Sequence, residues 1–147
     1  MIEDYLRDAN DRYAPYKSRP EYQIAGLLDK YGLPFVYEKP TAVVDAGKTR
    51  IWYPDFTLAY GPLIEYFGVD GDRGYAARTA HKLKVYRQNQ IQVLPVYPRD
   101  LAGRWEDRLL KQVDKALDRR LQHYRNAVRS AYRGWMGSAG SPYGRGH

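Results

Sequence analysis

Two strand patterns follow one another between Arg50 and Phe67, separated only by Tyr60-Gly61-Pro62, and they constrain the chain more than any other stretch. Alternating apolar residues need a sheet that buries one face, and so short a turn returns the second strand antiparallel to the first. Alternation sets Asp55, Thr57 and Ala59 on one side of the strand Arg50 to Ala59. It sets Leu63, Glu65 and Phe67 on one side of its neighbour. Asp55 and Glu65 thereby face a shared point. Two carboxylates converging without an intervening cation repel each other unless a divalent ion neutralises both, and magnesium accepts one or two carboxylates together with water and phosphate.

The flanking segments supply the other elements. Ser18-Arg19-Pro20-Glu21 is a helix start, with a capping serine, a proline in the first turn and a glutamate three residues after the serine. The helix runs to about Tyr31 and stops at Gly32. Its apolar stripe is Ile24, Ala25, Leu28 and Tyr31, and Glu21 falls in the middle of that stripe, which makes it a third candidate ligand. Strands are expected at Phe35 to Glu38 and Ala42 to Val44, with a turn at Asp45-Ala46-Gly47-Lys48. Gly47-Lys48-Thr49 is not a phosphate-binding loop, because that motif needs a glycine where Ala42 stands. The loop from Gly68 to Gly74 reads as a turn, and Asp70 and Asp72 with it.

A second helix is expected from about Tyr75 to Gln88, with Ala76, Ala80 and Leu83 as its stripe. A strand follows at Ile91 to Val96, then a largely helical segment from Arg99 to about Tyr132. This order implies an α/β fold, a mixed sheet with helices on both faces. Residues 1–17 read as a polar extension and residues 134–147 as a disordered, glycine-rich tail.

Composition narrows the chemistry. Without cysteine there are no disulfides or thiolate zinc sites, and His81, His123 and His147 are too dispersed to form a cluster, so any metal is held by oxygen. No apolar run approaches the roughly 18 residues of a membrane span, and the opening Met1-Ile2-Glu3-Asp4 is acidic. The expected setting is cytoplasmic, nucleoid-associated or phage-encoded, with no membrane partner. Six arginines and no acid follow Asp118, and they account for most of the net charge of +7. Arg119, Arg120, Arg125, Arg129 and Arg133 point to a polyanionic partner, of which nucleic acid is the commonest.

A glutamate in a first helix, then Pro54-Asp55 at a strand, then Glu65 in an apolar strand ten residues later resembles the PD-(D/E)XK nuclease superfamily. The resemblance covers about Ser18 to Leu101. It is strongest toward helicase-associated domains and phage or very-short-patch-repair-like endonucleases, through Leu63-Ile64-Glu65-Tyr66-Phe67-Gly68, Lys82-Leu83-Lys84-Val85-Tyr86 and Ile91-Gln92-Val93-Leu94. It implies a restriction-endonuclease-like core over residues 18–118, followed by a basic helix and tail over 119–147. It further implies Mg2+ or Mn2+ held by Glu21, Asp55 and Glu65.

The superfamily's lysine, two residues beyond the last glutamate, is Phe67 here. Branches that carry the lysine on the following helix match Lys82, while Lys84 flanks the same stripe on its other side. The implied activity is endonucleolytic hydrolysis of DNA, on branched or processed substrates, by Glu21, Asp55, Glu65 and Lys82. The alternatives are a non-catalytic nucleic-acid-binding module and a nuclease subunit that acts with a helicase or recombination partner. A homodimer would serve if both strands are cut.

Overall fold

The computed structural model describes residues 12–59, 61–69 and 72–138. Among them are three α-helices, six strands and one 3-10 turn: α1 (Arg19–Lys30), β1 (Phe35–Tyr37), β2 (Thr41–Asp45), β3 (Lys48–Trp52), β4 (Phe56–Leu58), β5 (Leu63–Tyr66), α2 (Arg73–Gln88), β6 (Val93–Val96), the turn at Pro98–Leu101, and α3 (Trp105–Ser138). None of these helices is long and apolar enough to cross a membrane.

The fold is mixed α/β. Its principal sheet has the order β1-β4-β5-β6, antiparallel except for the parallel pair β5 and β6, and β2 with β3 forms a separate hairpin. The parallel pair is joined through α2, because parallel neighbours need a crossover long enough to return the chain to the same edge. Pro95 is tolerated in β6 because that strand lies at the sheet edge.

Each face of the sheet has its own cover. Ile24 and Leu28 of α1 and Leu109 and Val113 of α3 pack on Phe56, Ile64 and Val96, all buried. On the other face Val85 and Tyr86 of α2 meet Leu63 of β5 and Val43 of the hairpin, with Trp52 and Val93 at the margin. Tyr16, from the segment read as an extension, lies 4.9 Å from the Tyr37 ring and 6.2 Å from that of Phe56, so this lead-in contributes to the larger core.

Four expectations need correction, the first being Tyr31, expected in the apolar stripe of α1, which lies just past its end and is exposed. The strand Arg50 to Ala59 is two strands in two sheets, because Pro54 fixes its own backbone and donates no ladder hydrogen bond. The stripe expected on α2 is displaced: Ala76 and Ala80 are exposed, Leu83 is half-buried, and Val85 and Tyr86 are the buried residues. Finally, α3 continues through Gly134 and Gly137 to Ser138, so the first part of the tail read as disordered is helical; residues 139–147 lie outside the described residues. Glycine lowers helix stability by about 1 kcal/mol against alanine, which weakens a helix of this length without ending it.

The hairpin is fastened to α2 at two points. Asn89 accepts the Val44 N–H at 2.8 Å and donates to the Val44 carbonyl at 2.9 Å, pairing with β2 as another strand would. His81 contacts Asp45 at 3.0 Å. Ala46 and Gly47 both hold left-handed backbone in the turn, with φ of 49° and 76°, as a tight hairpin of the right twist requires.

Leu28 has no solvent exposure and sits in the larger core. Leu28→Ala is expected to cost about 2–5 kcal/mol in urea unfolding, against less than about 0.5 kcal/mol for Leu121→Ala on the exposed part of α3. Equal costs would contradict this assignment of the core.

Candidate active site

Asp55 immediately precedes β4, and the register that pairs Phe56 with Ile64 and Thr57 with Leu63 carries it to the level of Glu65. Its Oδ2 accepts the Tyr66 N–H at 2.7 Å, which fixes the carboxylate against β5. Glu65 is only 2% exposed. Its Oε1 is paired with the Lys82 ammonium from α2, while Oε2 is buried without a hydrogen-bond partner. Asp55, Glu65 and Lys82 line one cleft of about 300 Å³.

Lys82 reaches this cleft from the helix as the motif match anticipated, and Lys84 is exposed. The Lys82 ammonium lies 6.0 Å from the centroids of both Phe67 and Trp52. The Phe67 ring thus forms part of the seat for a lysine arriving from α2, and the aromatic faces favour the cation held between them.

Glu21 behaves differently. It is buried, 6% exposed, on the apolar face of α1 as its position in the stripe implied. Its Oε2 accepts the Ser18 hydroxyl and its Oε1 accepts the Tyr37 hydroxyl at 2.8 Å. It is not among the residues lining the cleft, although its charge acts on Asp55. The structure therefore brings two of the three anticipated carboxylates together. Among the described residues no set of three or more histidine, aspartate and glutamate side chains converges at metal-binding spacing.

Several cleft residues were not singled out from the sequence. Glu38 closes β1 in a left-handed backbone conformation, φ 51°, its N–H donating to the Asp55 carbonyl at 3.1 Å. Its carboxylate lines the cleft and pairs with Lys17. Tyr53 and Arg78 also line it. Glutamate offers no local reason to adopt left-handed backbone, so no sequence signal marks Glu38. Asp72 caps α2 by accepting the Gly74 N–H at 2.8 Å, in keeping with its reading as a turn residue, and Asp70 lies outside the described residues.

Arg119, Arg125, Arg129 and Arg133 are exposed on α3. Arg120 donates to the Gly61 carbonyl at 2.8 Å and so helps hold α3 to the β4–β5 turn.

Burial pushes Asp55 up to about 7, and the charges of Glu21 and Glu65 add to the shift, while the Tyr66 N–H and Lys82 oppose it. Tyr86 is raised above its ordinary value by burial and by the neighbouring Glu65 charge, and Tyr37 by burial and its bond to Glu21. The cleft lining carries three carboxylates, Glu38, Asp55 and Glu65, and three cations, Lys17, Arg78 and Lys82, so its formal charges balance. Asp55 and Glu65, the latter with an orphaned buried oxygen, form a donor set that a hard divalent cation fits.

A raised carboxyl pKa means that the folded state holds a proton the unfolded chain has released. Stability contributed by Asp55 is therefore full below the ordinary 3.8 and is lost as pH rises through about 7. In urea titrations without divalent metal, Asp55→Asn should flatten the fall in stability across that window. An unchanged slope in the variant would contradict the assigned environment.

Comparisons of the chain with models of protein families, with curated proteins and with solved structures found no match, so the case for this site rests on its residues and their geometry.

Proposed function

We propose that the protein is a metal-dependent nuclease of the PD-(D/E)XK type, with a restriction-endonuclease-like core, that hydrolyses phosphodiester bonds of DNA. The observation that carries this reading is the convergence of Asp55 and Glu65 from neighbouring strands in one cleft, with Lys82 reaching Glu65 from the crossover helix. A mixed sheet with a parallel β5-α2-β6 unit and covering helices is compatible with it.

Asp55 and Glu65 would hold Mg2+ or Mn2+, with Glu65 Oε2 needing a partner. When bound, the ion supplies Lewis acidity toward a phosphodiester and a water. Glu21, held by Ser18 and Tyr37, acts as a fixed negative charge beside Asp55 and reaches the ion only if these bonds are exchanged. With an ion held in the cleft, Lys82 would be less strongly attracted to Glu65. Its ammonium can then orient the attacking water or offset charge building on the phosphate. The exposed arginines of α3 attract the polyanion without reading its sequence.

One observation favours a second reading. Lys82 already neutralises Glu65 directly, as it would in a nucleic-acid-binding module without catalysis.

Cleavage of plasmid, branched and single-stranded DNA with and without Mg2+ or Mn2+ separates the two. The nuclease reading expects metal-dependent cleavage that Asp55→Ala abolishes and Lys82→Ala lowers about 100-fold or more. Binding without cleavage on every substrate supports the module. In the full chain, changing Arg125, Arg129 and Arg133 together to glutamine should weaken DNA binding at low salt. It should also reduce the salt slope by about one per lost phosphate contact and leave the cleavage step intact. An unchanged salt slope would remove α3 from the interface.

A further inference from the structure

Beside the carboxylate cleft lies a second and larger cavity, about 670 Å³, between β3 and α2. One wall is Ile51, Trp52 and Tyr53, and the other is formed by Ala77, Arg78, His81 and Lys82. The walls are held in place by the contacts that fasten the hairpin to α2, Asn89 with Val44 and His81 with Asp45. Trp52 is set by an edge contact with the buried Tyr86 ring, 5.2 Å between centroids. This groove is therefore built by the fold.

Its composition is unlike that of the cleft. Ile51 and Tyr53 are large apolar side chains more than half exposed, 52% and 58%, next to a strongly charged site. With Trp52 between them, they give the groove an apolar and aromatic wall. Tyr53, Arg78 and Lys82 line both cavities, so the groove and the cleft adjoin. Arg78 and Lys82 stand one turn apart on α2 at the junction, with the Arg78 guanidinium 5.8 Å from the Tyr75 ring. An occupant that continues from the cleft thus meets cations first and aromatic surface second.

We propose that this groove binds an unpaired nucleotide adjoining the phosphate held at the Asp55–Glu65 cleft, so that the substrate is a polynucleotide with a single-stranded segment. The proposal rests on the nuclease reading for its phosphate and adds the substrate class. A nucleotide matches the order of the surface: its phosphate suits Arg78 and Lys82, and its base offers a flat face to Tyr53 and Trp52. Aromatic side chains accept any base in this way, because every base has a π-face. A base inside an intact duplex has both faces covered by its neighbours and cannot enter. Blunt duplex thus uses only the charged part of the surface, and an unpaired strand uses both.

The test is equilibrium binding of the full chain, without divalent metal, to single-stranded oligothymidylate, its oligouridylate counterpart, a blunt DNA duplex and the same duplex with a single-stranded flap. Tyr53 is exposed, so Tyr53→Ala leaves the core untouched, and Tyr53→Phe keeps the ring. The expected result is tighter binding of oligothymidylate and the flap than of blunt duplex. Tyr53→Ala should weaken the unpaired substrates roughly 5- to 100-fold and leave the duplex unchanged, and Tyr53→Phe should restore wild-type affinity. Oligouridylate weakened in parallel identifies the base as the recognised group in either polymer, whereas weakening of oligothymidylate alone assigns the groove to DNA; both support it. Equal losses on blunt and unpaired substrates, no loss with Tyr53→Ala, or no rescue by Tyr53→Phe overturns it. Ring-dependent binding of single strands by a protein that cleaves nothing with magnesium supports the groove and refutes only the nuclease reading.

Discussion

Glu65 is a carboxylate buried in an interior strand of the principal sheet, and much of the structure around it answers the cost of placing it there. An ionised group out of water is costly unless it is paired and hydrogen-bonded. Lys82 supplies the charge, but only one oxygen is met, and Oε2 has no partner. Asp55 adds a second carboxylate at the same level, and burial raises its pKa. A protein selected for stability alone gains by replacing such a pair with apolar residues. Under the proposed function, its place on a cleft wall serves the binding of a cation.

The position of α2 follows from the same requirement. Only its C-terminal end, at Val85 and Tyr86, packs into a core, whereas Tyr75, Thr79 and Lys82 line the cleft. A helix so lightly buried along most of its length is held from outside, by Asn89 on β2 and by His81 with Asp45. The hairpin therefore has a structural duty beyond its own small sheet. It fixes the helix that delivers the lysine, and in doing so it creates the aromatic groove beside the cleft.

Parts of this were legible in the sequence because they depend on short-range periodicity. Strand alternation placed Asp55 and Glu65 on one side of the sheet, and this survives although Asp55 lies just before β4. Helical projection put Glu21 on a buried face, but projection says nothing about which hydroxyls will bond its oxygens; Ser18 and Tyr37 do so, and Glu21 does not line the cleft. The stripe of α2 was misread because only the end of the helix, at Val85 and Tyr86, packs into a core, so the periodicity of Ala76 and Ala80 has nothing to pack against. The break at Pro54 was readable in principle from a proline inside a ten-residue strand. Tyr16 and Glu38 carried no such signal: one joins the core from an irregular segment, and the other enters the cleft through left-handed backbone.

Under the proposed function Asp55 and Glu65 together form a divalent-cation site. This is tested most directly by a crystal structure of the protein grown with Mn2+, using anomalous scattering to locate the ion. The expected result is a peak in the cleft within roughly 2.0–2.5 Å of an oxygen from each carboxylate, with Lys82 displaced from full contact with Glu65. A cleft in which the Lys82–Glu65 pair is intact and no peak lies between Asp55 and Glu65, at Mn2+ concentrations that saturate ordinary carboxylate sites, would contradict it.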